Sequence, residues 1–300
     1  MVNSYIVTPL YRDYNTPCAH LYISSPVLSY INHLTVRQKK ATIYFMFIGW
    51  VIFFFLLGAV LGSFINMLSD RLPAEKSIVT PGSVCDTCGK RLGVPDLIPI
   101  LSFIFLKGHC RYCRAKIPAR ALWVEIATAC LFSLFWVILG PGVALAISLV
   151  YLCVFITLFV IDLEKGLILN VIIYPFMVLA LLLSPFYLTG DGLLANLSSS
   201  FFGGLTGFGL FLLIYIASRG GMGEGDIKMA GFIGLVCGFP NIFVAIFAGI
   251  VLGGLAAAAL MLSGKRRKGQ TIPFGPFLAV GAVTAMLFGS QIMDWYLSLA

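Results

Sequence analysis

Apolar and polar positions alternate along this chain in long blocks. Apolar runs fall at about 43–68, 121–139, 143–161, 167–188, 201–217, 227–239, 242–262 and 276–297. Most approach the roughly 20 residues that a bilayer requires. The pattern predicts an all-α polytopic membrane protein of about eight transmembrane helices. The run after Asp226 is short for a full crossing. One polar interruption is long: residues 69–120 form a small soluble domain between the first and second helices. Residues 1–41 have no periodicity, contain Pro9, Pro17 and Pro26, and end in Arg37-Gln38-Lys39-Lys40. They read as a polar, irregular extension. The expected division is therefore an extension at 1–41, a first transmembrane helix at 42–68, a soluble domain at 69–120 and a seven-helix membrane domain at 121–300. Gly58, Gly62 and Ser63 in the first span are small enough to let a second helix approach closely.

Composition excludes a soluble globular domain, since 60% of residues are hydrophobic and 11% charged, against about 25% charged in a soluble domain. No removable signal peptide is visible, because the first apolar run comes late, is long and lacks a small-residue cleavage site. The net charge is +8, but its placement says more, because basic loops stay on the cytoplasmic side. With 69–120 in the cytoplasm and sides alternating, the turns at 162–166, 218–226 and 264–270 are inside. These carry Lys165, Arg219, Lys265, Arg266, Arg267 and Lys268. The outside turns, 140–142, 189–200 and 238–241, carry no Lys or Arg. Only Arg37, Lys39 and Lys40 disagree, as they precede a first span that starts outside. A natural start at Met46 would resolve this.

The soluble interruption contains Cys85-Asp86-Thr87-Cys88 and Cys110-Arg111-Tyr112-Cys113. Two such pairs have the spacing of a four-thiolate zinc site, each pair supplying adjacent corners of a tetrahedron. Two disulfides are the alternative. The basic character of the segment, with Arg71, Lys76, Lys90, Arg91, Lys107, Arg111, Arg114, Lys116 and Arg120, points to the reducing cytoplasm and so to metal. A domain this short also needs the stability that a metal supplies. His109 is surplus to four cysteines and reads as a solvated or supporting residue. Cys18, His20 and His33 lack ligand spacing. Cys130, Cys153 and Cys237 fall inside spans as core packing residues.

Two acids carry the candidate chemistry. Asp226 follows the glycine-rich turn Arg219-Gly220-Gly221-Met222-Gly223-Glu224-Gly225-Asp226-Ile227-Lys228, and Asp162 ends the third span in Ile161-Asp162-Leu163-Glu164-Lys165-Gly166. By the topology both stand at the cytoplasmic edge. Each alone reads as a boundary or capping residue. Together they form a pair that can share a water, one carboxylate ionised and taking its proton while the other, protonated, polarises a scissile carbonyl. The helix start at Asp226 favours its anion. Which of the two is the base is not legible in the sequence. Glu164 and Glu224 lie nearby in solvent-open turns.

With these residues in view, the chain resembles the bacterial type IV prepilin peptidases. The resemblance runs from about residue 46 to the C-terminus. It rests on Leu61-Gly62-Ser63-Phe64-Ile65-Asn66 with Arg71-Leu72-Pro73, the two cysteine pairs, Pro99-Ile100-Leu101-Ser102-Phe103, Ile161-Asp162 with Asn170, and Gly221-Met222-Gly223-Glu224-Gly225-Asp226-Ile227-Lys228. Asn170 stands where many members have Asp, Leu169 where Pro is common, and Cys-Asp-Thr-Cys where Cys-Pro-x-Cys is frequent.

The resemblance implies a multi-pass aspartic endopeptidase of the bacterial inner membrane with Asp162 and Asp226 as its catalytic pair. It would remove the basic leader from type IV prepilins and type II secretion pseudopilins, then methylate the new N-terminal residue with S-adenosylmethionine. Residues 69–120 would be the methyltransferase-associated zinc domain, held by Cys85, Cys88, Cys110 and Cys113. Lipid is an expected partner and nucleic acid is not. No dinucleotide-type glycine fingerprint points to a binding site for the methyl donor. Two other readings compete. A presenilin-type GxGD protease would carry Tyr before the first aspartate, where this chain has Ile161. A zinc-dependent scaffold or transporter would place polar residues in mid-span.

Overall fold

In a computed structural model of the chain, residues 26–80, 82–188, 192–219, 222–263 and 273–299 are described, with side chains from Tyr44 onward. The long apolar stretches become helices, several of them running through internal Gly or Pro: α1 (Pro26–Arg71), α2 (Leu101–Phe105), α3 (Ala119–Leu139), α4 (Val143–Lys165), α5 (Asn170–Tyr187), α6 (Leu193–Ala217), α7 (Glu224–Cys237), α8 (Ile242–Leu262) and α9 (Gly275–Leu297). Among the described residues β structure is confined to two isolated bridges, Val84 with Arg91 and His109 with Lys116. Contacts divide the chain into Met1–Ile48 and Gly49–Ala300. In the first unit the described residues all belong to α1.

Among the described residues, seven helices are long and apolar enough to cross a membrane, the first counted as Tyr44–Ala74. The eighth expected run is α7, whose 14 residues span about 21 Å, short of the roughly 30 Å hydrocarbon core. Residues 26–41 depart from the irregular reading, being helical from Pro26 onward. Pro suits a first helical position, and no Gly or Pro follows until Gly49 to end the helix. Cys18 and His20 lie outside the described residues, as do Thr189–Asp191, Gly220, Gly221 and the basic turn at 264–270. His33 lies in α1 without a described side chain.

Small residues set how closely the helices pack. Gly203 and Gly207 of α6 face Gly234 and Ala230 of α7 so closely that a Cβ on either α6 glycine would strike backbone carbonyl oxygen. This is the small-residue packing that substitutes for a hydrophobic driving force in lipid. Gly58 and Gly62 of α1 likewise meet α3 at Thr128, Ala129 and Glu125. The core lies around α4 and α7, where Leu152, Phe155, Leu158, Ile161, Met229, Ala230 and Phe232 are fully buried. Cys237 is buried in that core and Cys153 partly so, but Cys130 is exposed. Its neighbour Ala129 takes the inward position on α3, which turns the next side chain outward.

Polar groups at the helix ends are paired locally. Pro185 inside α5 cannot donate to the carbonyl four residues earlier, and the Ser184 hydroxyl donates to that Leu181 oxygen at 2.8 Å. Asn196 of α6 donates to the carbonyls of Pro185 and Leu188.

Candidate active site and metal centre

Helix α4 is apolar on every face and is the most buried of the spanning helices, leaving a narrow exposed stripe at Val143, Val150 and Leu163. It carries Asp162 three residues before its end, where the residue is only 5% exposed. Gly166 stops the helix in a left-handed conformation and donates its N–H to the Asp162 carbonyl. Asp226 sits in the first turn of α7, 9% exposed. Gly225 lies against Ile168 of the α4–α5 loop, where a Cβ would come to 2.9 Å. This close approach draws the start of α7 onto the end of α4. The two carboxylates are within electrostatic reach of each other, so the fold gathers the two acids that the sequence separates by 64 positions.

The surroundings of the pair include residues that the sequence reading left out. Gly275, the first residue of α9, packs directly on Asp162, and a Cβ there would collide with Oδ2. That oxygen is buried without a hydrogen-bond partner among the described residues. A Gly-Pro pair opening a helix was the available signal, since Pro at the second position announces the helix and Gly removes its first side chain. Phe274 stacks toward Phe211 of α6, ring centroids 6.1 Å apart. Asn170 opens α5 and accepts a hydrogen bond from Lys228 at 3.0 Å, tying α5 to α7. Glu164 is not simply solvated: it pairs with Arg120 at 2.5 Å, and Arg120 also grips Asp70 at 2.8 Å. Three helices are thus clamped beside Asp162. Glu224 is exposed, as expected.

The cysteine pairs form two similar knuckles. In the first, Cys85 N–H donates to Lys90 O and Gly89 N–H to Cys85 O; in the second, Cys110 N–H donates to Ala115 O and Arg114 N–H to Cys110 O. Gly89 and Arg114 occupy the equivalent left-handed position, φ 67° and 61°. Each knuckle is closed by one of the two β bridges. The four sulfurs lie within 4.8 Å of one another, and Cys85 Sγ is 3.8 Å from Cys113 Sγ. A tetrahedron with Zn–S near 2.3 Å has edges of about 3.8 Å. All four thiols are free of disulfides. Backbone N–H groups of Cys88 and Thr87 hold the Cys85 thiol down to about 6, which suits a thiolate ligand. His109 bonds the Lys107 carbonyl through Nδ1 at 2.7 Å and stays out of the cluster.

The apolar cleft between α5 and α6, lined by Leu181, Leu194 and Phe201, lies at the opposite helix ends from the aspartates and offers no comparable chemistry.

Two family descriptions match different parts of the chain. The family described as Bacterial Peptidase A24 N-terminal domain matches residues 56–139, which include both cysteine knuckles. The Type IV leader peptidase family matches residues 149–258, which include both aspartates. A prepilin leader peptidase/N-methyltransferase of Bacillus subtilis (strain 168) is 36% identical over 249 residues, covering 82% of this chain and 97% of its own. The protein of the same name from Dichelobacter nodosus is 31% identical over 233 residues, covering 76% and 78%. That from Aeromonas salmonicida (strain A449) is 29% identical over 277 residues, covering 81% and 92%. No solved structure matches the chain. From its first spanning helix through the glycine-rich turn at Asp226, the chain is a member of the type IV leader peptidase family.

Proposed function

We propose that this protein is a membrane-embedded aspartic endopeptidase that removes the leader from prepilins and related pseudopilins and then N-methylates the new N-terminus. The observation that carries the reading is the placement of Asp162 and Asp226, two buried acids from separate helices within electrostatic reach of each other. In the assigned chemistry the ionised carboxylate takes a proton from water as its oxygen attacks the scissile carbonyl. The protonated carboxylate gives its proton to the carbonyl oxygen; the tetrahedral intermediate then collapses as the first carboxylate passes its proton to the amide nitrogen, which leaves as the amine, and the second takes a proton back from the intermediate's hydroxyl. One proton is taken and one given at each stage, so neither metal nor covalent intermediate is required. Gly275, with no side chain, lets the start of α9 pack directly on the Asp162 carboxylate and fix its position.

The domain division extends this reading. Residues 69–120 form a zinc domain associated with methylation, and 121–300 the peptidase domain. Cys85, Cys88, Cys110 and Cys113 would hold zinc in a structural role, ordering a segment with little core of its own. S-adenosylmethionine is the methyl donor expected from the resemblance. No glycine loop between a strand and a helix occurs among the described residues, so no residue is assigned to it. We place the cysteine domain and both aspartates on the cytoplasmic side of the inner membrane. Support comes from Lys165 and Arg219 in the turns beside the aspartates and from the basic residues of 69–120. The test is co-expression with a prepilin followed by mass spectrometry of its N-terminus. A processed, methylated terminus is expected, and an intact leader in the presence of folded protein overturns the proposal.

A further inference from the structure

Residues 93–106 of the cysteine domain read Gly-Val-Pro-Asp-Leu-Ile-Pro-Ile-Leu-Ser-Phe-Ile-Phe-Leu. They are as apolar as a span but too short to cross. Their one charge is fully engaged. The Asp96 carboxylate accepts from the Gly93 N–H at 3.0 Å, Arg111 Nε at 2.6 Å and Tyr112 OH at 3.3 Å. Phe103 turns inward onto Gly108, beside the second cysteine knuckle. The others turn outward: Val94 is 81% exposed and Phe105 80%, and Leu97, Ile98, Leu101 and Ile104 are exposed with them. A water-facing domain rarely carries so continuous an apolar patch unless something covers it.

The depth of the segment is fixed by one bond. The backbone N–H of Ile100 donates to Glu125 Oε2 at 2.7 Å, and Glu125 is a buried acid inside spanning helix α3. Arg120, paired with Asp70 and Glu164, marks the charged rim of the helices. Glu125 lies five residues further in, about 7.5 Å deeper at helical rise. Trp123, exposed between the two, is the residue type that gathers at a membrane interface. Ile100 itself has φ 64° and ψ −53°, a strained conformation for a β-branched residue. The segment therefore turns sharply at Ile100, below the charged rim. Its N–H finds the internal partner that non-helical backbone requires at membrane depth.

We infer that residues 94–106 dip into the lipid leaflet on the cysteine-domain side as a re-entrant element whose tip is held by Glu125. The partner is the boundary between headgroups and acyl chains. The run is tied to the buried Glu125 of a spanning helix, and Lys107 follows it where anionic headgroups would lie. A depth of about 5–10 Å is that of interfacial apolar segments. Glu125 is thus a positioning residue that seats the cysteine knuckles against the membrane on the Asp162 side, where Arg120 joins α3 to α4.

The test uses the full chain in vesicles of phosphatidylethanolamine and phosphatidylglycerol, with photoreactive benzoylphenylalanine placed singly at Val94, Leu101 or Phe105, and at Arg91 or Lys116 as water-facing controls. Mass spectrometry then identifies what each residue captures. Lipid adducts are expected at the first three positions, about tenfold above the controls, as interfacial burial implies. Capture confined to solvent, or to an added prepilin in place of lipid, overturns the inference. In the Phe105-labelled chain, Glu125→Ala should lower the lipid adduct toward control levels while Glu125→Gln, which keeps the acceptor oxygen, retains it. Equal lipid capture in both variants removes Glu125 from the role. Folding is checked in each variant by retained zinc and unchanged elution from size exclusion.

Discussion

The backbone of Gly275 lies directly against the carboxylate of Asp162, leaving no space for a Cβ between them. Gly275→Ala should therefore displace either the start of α9 or the carboxylate. A shift near 1 Å in a reacting group costs about 10²-fold in turnover. We expect a loss of that order in the leader-cleavage rate of purified enzyme, with substrate affinity changed less. Wild-type turnover by Gly275→Ala would show that this contact does not position Asp162.

Replacing either buried acid should be as damaging as replacing both. Asp162→Asn and Asp226→Asn are each expected to abolish leader cleavage, and the double variant should be no worse, because groups acting as a unit are non-additive. Both variants should remain in the membrane, since each substitution keeps size and hydrogen-bonding capacity. Cleavage assays with a membrane-fraction blot decide it, and substantial cleavage by either variant would remove that residue from the pair.

Metal analysis of purified protein should find about one zinc per chain. Cys110→Ser should lose it most completely, because Cys110 is the buried sulfur of the four. Thiols must deprotonate to bind metal. Cys85, held to about 6, is already a thiolate in the metal-free domain above that pH and is protonated below it. Zinc affinity should therefore fall as pH falls, and the fall should steepen by about one proton per metal below pH about 6. Competition with a chelator across pH 5 to 8 measures the slope; an unchanged slope would argue against that low thiol value.

The contact between α6 and α7 predicts a contrast between two glycines. A Cβ at Gly234 would strike the Gly203 carbonyl, whereas one at Gly209 meets open space. Gly234→Ala should destabilise the protein by about 1–3 kcal/mol, the cost of overpacking a tight contact. Gly209→Ala should be neutral or slightly stabilising, since alanine favours a helix by about 1 kcal/mol. Thermal unfolding in detergent compares the two directly.

Much of this protein is determined by local sequence. A run of some 20 apolar residues has few options besides a spanning helix, because lipid offers no partner for unpaired backbone. The cysteine spacing likewise suits adjacent corners of a tetrahedral site before any fold is known, and the fold does bring the four sulfurs together. The short run after Asp226 was visible as short, and it forms α7. Asp162 and Asp226 stood out because a charge at the end of an apolar span is costly.

Contacts between distant segments were decided only by tertiary structure. Periodicity does not record which glycine meets which backbone, so Gly275 against Asp162 and Gly225 against Ile168 could not be read from their own neighbourhoods. The same holds for Arg120 between Asp70 and Glu164, whose partners lie 50 and 44 positions away. The bond from the Ile100 N–H to Glu125, 25 positions further on, was likewise set by packing, since it ties residues 69–120 to α3. Sequence determined which groups must avoid water; only packing decided which of them avoid it together.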